Sequence, residues 1–163
     1  MIKTRQLLIL VSTLLLATLF GCQSTSTFYR GLAVAPEYIV PIPGGATNER
    51  WETFDLSIVF SYTENNRKFD ITGKTRMSEH YQMNYGTLTR LDVYLLFLDH
   101  NLRVVKTARL HTTTNSDTES VMPFDQSLTI PDDAASFSFA YDGVALESGD
   151  KKRSPHFFWL RPK

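Results

Sequence analysis

The sequence predicts an all-β domain, an antiparallel β-sandwich of about seven or eight strands, and three observations carry that expectation. Beyond residue 50, apolar side chains recur at every second position, the period of a strand with one face on a core. Turn signals such as Glu64-Asn65-Asn66-Arg67, Asp99-His100-Asn101 and Pro131-Asp132-Asp133 punctuate these runs at short intervals. No segment of the domain sustains a 3.6-residue period, and there is no internal repeat.

From Leu32 to Arg50 the chain carries Pro36, Pro41, Pro43, Gly44 and Gly45, so an extended backbone with a turn at Pro-Gly-Gly is expected. Tyr38-Ile39-Val40 reads as a short edge strand. Phe54, Leu56, Ile58, Phe60 and Tyr62 alternate with Asp55, Ser57, Val59 and Ser61, and after the Glu64–Arg67 turn Phe69 and Ile71 begin the returning strand. Met77, Tyr81, Met83 and Tyr85 stay on odd positions, which predicts another strand, because a helix would not keep that alternation. Leu91 to Leu98 is apolar on both faces except at Asp92, the pattern of a central strand covered on both sides. Asp99-His100-Asn101 turns the chain into Leu102, Val104, Ala108 and Leu110, and Thr112 to Ser120 reads as a polar loop. Phe124, Leu128 and Ile130, then Phe137, Phe139 and Tyr141, supply two more strands, and Phe157-Phe158-Trp159-Leu160 supplies a closing one that packs in the core. This spacing is similar to that of immunoglobulin/fibronectin-like sandwiches of envelope proteins, with a small closed β-barrel as the alternative.

The first residues have a different logic. Lys3 and Arg5 precede fourteen uncharged residues, Leu7 to Phe20, the layout of a secretory signal and shorter than the roughly 20 residues a spanning helix needs. Leu19-Phe20-Gly21-Cys22 follows, and it resembles the lipobox of bacterial lipoprotein precursors: a branched apolar residue three places before the cysteine and a small residue just before it. Phe20 departs from the smaller residue usual at the middle place. The resemblance implies diacylglyceryl transfer to the Cys22 sulfur and cleavage between Gly21 and Cys22, leaving the protein attached to a membrane through that lipid. Gln23 stands where an Asp commonly retains Gram-negative lipoproteins at the inner membrane, so the resemblance implies the outer membrane, facing the periplasm. The expected organisation is a signal peptide over residues 1–21, a lipidated cysteine and tether over 22–31, and one sandwich domain over 32–163.

Without its first 21 residues the chain has 142, enough for one domain that buries roughly two-thirds of its unfolded surface. With Lys3 and Arg5 gone, 15 basic side chains face 17 acidic ones, a net charge of −2 that offers no footprint for nucleic acid or for anionic lipid heads. Lys151-Lys152-Arg153 reads as a solvated loop. Cys22 is the only cysteine, so no internal disulfide forms, and once acylated its sulfur is no nucleophile.

There is no Gly-x-Ser-x-Gly elbow, phosphate loop or calcium loop, and His80, His100, His111 and His156 lack metal-ligand spacing. The histidines are expected on polar strand faces, with His100 capping a turn. Asp132-Asp133 after Pro131 is turn chemistry, and Glu52 and Asp55 have opposite strand parity. No catalytic residue, metal or cofactor is assigned. Tyr81, Met83 and Tyr85 form the candidate binding patch. The expected role is a non-enzymatic, lipid-anchored envelope protein that contacts envelope protein partners, with binding of a small envelope ligand (glycan, peptide or lipid) as the alternative.

Overall fold

The computed structural model describes residues 29–148 and 154–163. Cys22, Gly21 and the tether up to residue 28 lie outside the described residues, as do Lys151, Lys152 and Arg153. After a 3-10 turn at Pro36–Tyr38 come β1 (Val40–Pro41), β2 (Ala46–Glu52), β3 (Leu56–Asn65) and β4 (Lys68–Met77). A short helix α1 (Glu79–Asn84) leads into β5 (Tyr85–Leu98), β6 (Val104–Asp117), β7 (Met122–Thr129), β8 (Ser136–Glu147) and β9 (Pro155–Leu160).

The strands form two antiparallel sheets packed face to face. One has the order β2-β3-β4-β7; the other has β8-β5-β6 with β1 and β9 sharing the far edge of β8. The chain makes the β3–β4 hairpin, crosses to make the β5–β6 hairpin, returns to lay β7 beside β4, then crosses again to lay β8 beside β5. These Greek-key crossings are those of an immunoglobulin/fibronectin-like sandwich. The sheets keep free edges at β2, β7 and β6, so the molecule is a sandwich and not the closed barrel. Nine strands are described where seven or eight are expected; β2 is the strand not anticipated, and β1 falls at the expected edge strand.

Alternation builds the core. Leu56, Ile58, Phe60 and Tyr62 of β3 point inward, with Phe69, Ile71 and Met77 of β4 beside them and Phe137, Phe139 and Tyr141 of β8 opposite. The aromatic rings meet edge-on, as between Phe60 and Phe139 at 5.1 Å and between Phe69 and Phe137 at 5.1 Å, the arrangement their quadrupoles favour. Gly73, paired with Phe60 across the β3–β4 ladder, leaves room for the Phe124 ring, and a Cβ there would collide with both that ring and the Val59 carbonyl.

The central strand is β5, paired to β6 on one side and β8 on the other, and it is buried on both faces as its sequence requires. Leu91, Val93, Leu95 and Phe97 face the inter-sheet core. Leu96 and Leu98 face outward, where with Ala140 and Val104 they form a second cluster covered by Tyr29 and Val34. The covering segment is held by backbone bonds: Gly31 N–H donates to the Val104 carbonyl at 2.8 Å, Val34 N–H to that of Leu102 at 3.0 Å, and Ala33 and Lys163 exchange bonds at 2.7 and 2.9 Å. The chain bends into this path at Tyr29 and Gly31, both with positive φ, 75° and 83°.

Four local expectations need correction. Met77 to Tyr85 is not one strand. The Ser78 N–H bonds the Asp55 carbonyl at 2.8 Å, and the chain then coils into α1, with Gln82 N–H donating to the Ser78 carbonyl at 3.1 Å. Six helical residues span under two turns, too few to display a 3.6 period, so the odd-position apolar residues imitated a strand. Residues 112–117 belong to β6 and pair with β5, because Thr and Asn serve a strand whose neighbours face water. Tyr38 ends the 3-10 turn, so the edge strand shrinks to Val40–Pro41. In β9 only Phe158 is core; Phe157 and Trp159 are 62% and 57% exposed.

His111 also departs from the solvent-facing reading. It sits between the sheets, its Nε2 3.0 Å from Thr75 Oγ1 and its ring stacked on Phe124 at 6.0 Å. Burial holds its pKa below the ordinary 6.5, only partly opposed by Asp92. The folded state therefore favours the neutral ring, while the unfolded chain takes up a proton as pH falls through about 6.5. Stability is expected to decline as pH drops below about 6.5 towards the lower folded-state pKa, and His111→Gln is expected to flatten that part of a urea-midpoint profile.

Candidate functional site

The densest polar constellation lies at the end of the sandwich where β2, α1 and the last half of β8 meet. Thr53 closes a turn onto Leu56, its N–H donating to the Leu56 carbonyl at 2.9 Å. This fixes Asp55 so that Tyr141 from the opposite sheet donates its hydroxyl to Oδ2 at 2.7 Å, with Thr53 Oγ1 2.9 Å from the same hydroxyl. Tyr81 of α1 lies near the same carboxylate. Burial first, and the Asp55 carboxylate second, push both phenols above their usual range. Phenols so raised stay protonated, and the cluster binds one sheet to the other. Trp51 extends it, with its Nε1 donating to the Tyr38 carbonyl at 3.1 Å and its ring 5.3 Å from Phe139.

The structure divides the expected patch of Tyr81, Met83 and Tyr85. Tyr81 is 1% exposed and packs in the core against Phe158 at 4.8 Å, and Tyr85 stacks on it at 5.1 Å one helical turn later. Met83 points the other way, 77% exposed. A surface feature that alternation hid lies beside it: Phe54, 73% exposed, rests on His80 of α1 at 5.0 Å. Phe54 belongs to no strand, so the parity that assigns it to the core does not apply.

Phe54 and His80 line one end of a cleft of about 640 Å³ on the outer face of β2, β3 and β4. Arg50, Glu52, Lys74 and Arg76 supply its charged walls, and Arg50 pairs with Glu52 at 2.9 Å. A second crevice, about 450 Å³, opens where Ser138 to Ala140 lie between the β1 and β9 pairings, lined by Val34, Tyr38, Leu96, Phe139 and Leu160.

The outer face of the other sheet carries a charge network. Arg90 bonds Asp142 at 2.6 Å and approaches Asp92 at 3.3 Å, and Thr112 donates to Asp92 at 2.6 Å. Arg109 lies 3.9 Å from Asp92 and 5.8 Å from the Tyr94 ring centre. Two acids half-hidden in a sheet face are thereby matched by arginines, which offsets the cost of their burial. Among the described residues no three His, Cys, Asp or Glu side chains converge as metal ligands do, and no helix is long and apolar enough to cross a membrane.

Comparison of the chain with family models, curated proteins and solved structures finds no match. The fold and its surfaces define an all-β sandwich with a polar inter-sheet lock and two chemically distinct outer faces. Tyr141→Phe removes the hydroxyl shared by Asp55 and Thr53, and is expected to cost about 1–3 kcal/mol in urea unfolding, with native circular dichroism retained.

Proposed function

We propose that the chain is a lipid-anchored cell-envelope protein whose sandwich is a non-enzymatic module contacting other envelope proteins. The anchor rests on the charged start, the short apolar run and Leu19-Phe20-Gly21-Cys22. The observation that carries the interaction reading is the β2-β3-β4 face: exposed Phe54 is rimmed by Arg50, Arg76, Lys74 and Glu52 around a concave surface. Apolar anchors with arginines and a charged rim are the composition of protein–protein contacts. The cleft is shallow and its charges are mixed in sign, which suits a peptide or protein surface better than a single small anion.

A second reading, binding of a small apolar envelope ligand, draws on the crevice lined by Val34, Leu96, Phe139 and Leu160.

In cells, Cys22→Ser is expected to leave an uncleaved precursor without acyl label, and a photo-crosslinking residue at Arg76 in the otherwise native chain is expected to give a discrete protein adduct. Acyl labelling that survives Cys22→Ser contradicts the anchor. Only monomer at Arg76, at Ser57 and at Phe54 alike contradicts the interaction surface.

A further inference from the structure

The outer face of the β8–β9 pair carries the molecule's other exposed aromatics. The register pairs Asp142 with Trp159 and Val144 with Phe157, so both aromatics project on the side of Asp142 and Val144. Asp92 pairs in turn with Asp142, which places them on the face crossed by the N-terminal segment. Phe157 and Trp159 are 62% and 57% exposed, and the Arg161 guanidinium lies 5.8 Å from the Trp159 ring centre. Tyr29, the first described residue, packs edge-on against Tyr94 of the same face at 6.4 Å and lies near Arg161. The polypeptide thus joins the fold beside this patch, and the tether hangs from the patch's own side of the domain.

Seven residue steps separate Tyr29 from Cys22. At roughly 3.6 Å per fully extended residue they reach about 25 Å at most. From the lipid reading of Cys22, on which this inference rests, it follows that Tyr29 stays within that distance of the bilayer interface. A face held so close meets the headgroups at a high effective concentration, so a patch too weak to recruit a free protein still engages. Its chemistry suits that layer: Trp prefers the interface between headgroups and acyl chains, and arginine pairs with lipid phosphate. Asp92 and Asp142 already face Arg90 and Arg109, while Arg161 and Lys163 are exposed beside the patch, with Glu37 on the crevice that they line.

We infer that Phe157, Trp159 and Arg161 form a membrane-docking patch that seats the β8–β9 face on the lipid surface and turns the β2-β3-β4 cleft away from it. The occupant is a phospholipid surface containing anionic headgroups. A protein partner on this patch is the outcome that would replace it.

Tryptophan emission tests this directly, because Trp51 is 5% exposed in the core and Trp159 is the other tryptophan. The full-length protein, expressed and processed in bacteria, is reconstituted into phosphatidylethanolamine–phosphatidylglycerol vesicles with and without lipid brominated near the top of the acyl chain. Partial loss of emission is expected in the brominated vesicles, with no such loss in Trp159→Phe and a smaller loss in Arg161→Glu. Near-ultraviolet circular dichroism confirms that each variant is folded. The mass of the N-terminal peptide separates the two ways to fail. A peptide without diacylglycerol on Cys22 overturns the anchor and the docking together. An acylated protein whose emission is equal in both vesicle types overturns the docking alone.

Discussion

The outer side of the β5–β8 pair cannot be left to water. Leu96, Leu98 and Ala140 lie there, and each large apolar side chain fully covered is worth about 1.5–3 kcal/mol. A sheet in the middle of a two-layer sandwich would ordinarily show polar side chains on that face. Here the segment entering the fold takes the place of a third layer: Tyr29 and Val34 close over the leucines, and five backbone hydrogen bonds tie residues 31–34 to Leu102, Val104 and Lys163. Much else follows from this covering. It sets where residues 29–34 join the domain and which face they cover.

Both-sided burial of β5 was legible because Leu91 to Leu98 has almost no polar residue on either parity. The strong alternations of Phe54–Tyr62 and Phe137–Tyr141 likewise announced two core strands, although Phe54 itself fell outside its strand. What escaped was set by distant partners. Ser78 at the N-cap and Glu79 in the first turn are weak local marks of the helix Glu79–Asn84, and the chain is turned there by a backbone bond from Ser78 to Asp55, 23 residues earlier. The Asp55–Tyr141 lock joins residues 86 apart, and no spacing rule reaches that far. The Tyr81–Met83–Tyr85 patch failed for the same reason, since coiling sent Tyr81 inward and Met83 outward. Phe157 and Trp159 were read as core from composition, but on an edge strand with one packed face alternate residues must face out, and only Phe158 goes in.

The two outer faces differ in chemistry. Beside Tyr29, where the chain enters the fold, the face is aromatic, with its acids matched by arginines. On the far sheet the charges are mixed and the surface is concave around Phe54. The Asp55 cluster couples the layers mechanically, since Thr53 and Asp55 belong to the link between β2 and β3 while Tyr141 belongs to β8.

Native-state hydrogen exchange of the amides of Gly31, Val34 and Val104 tests the central claim, that residues 29–34 belong to the cooperative fold and are not a loose leader. If the covering is integral, these three exchange only with the opening of β5, at the same rates as the amides of Leu95 and Phe97. Exchange at the rate of an unprotected chain, while β5 stays fully protected, would contradict the account.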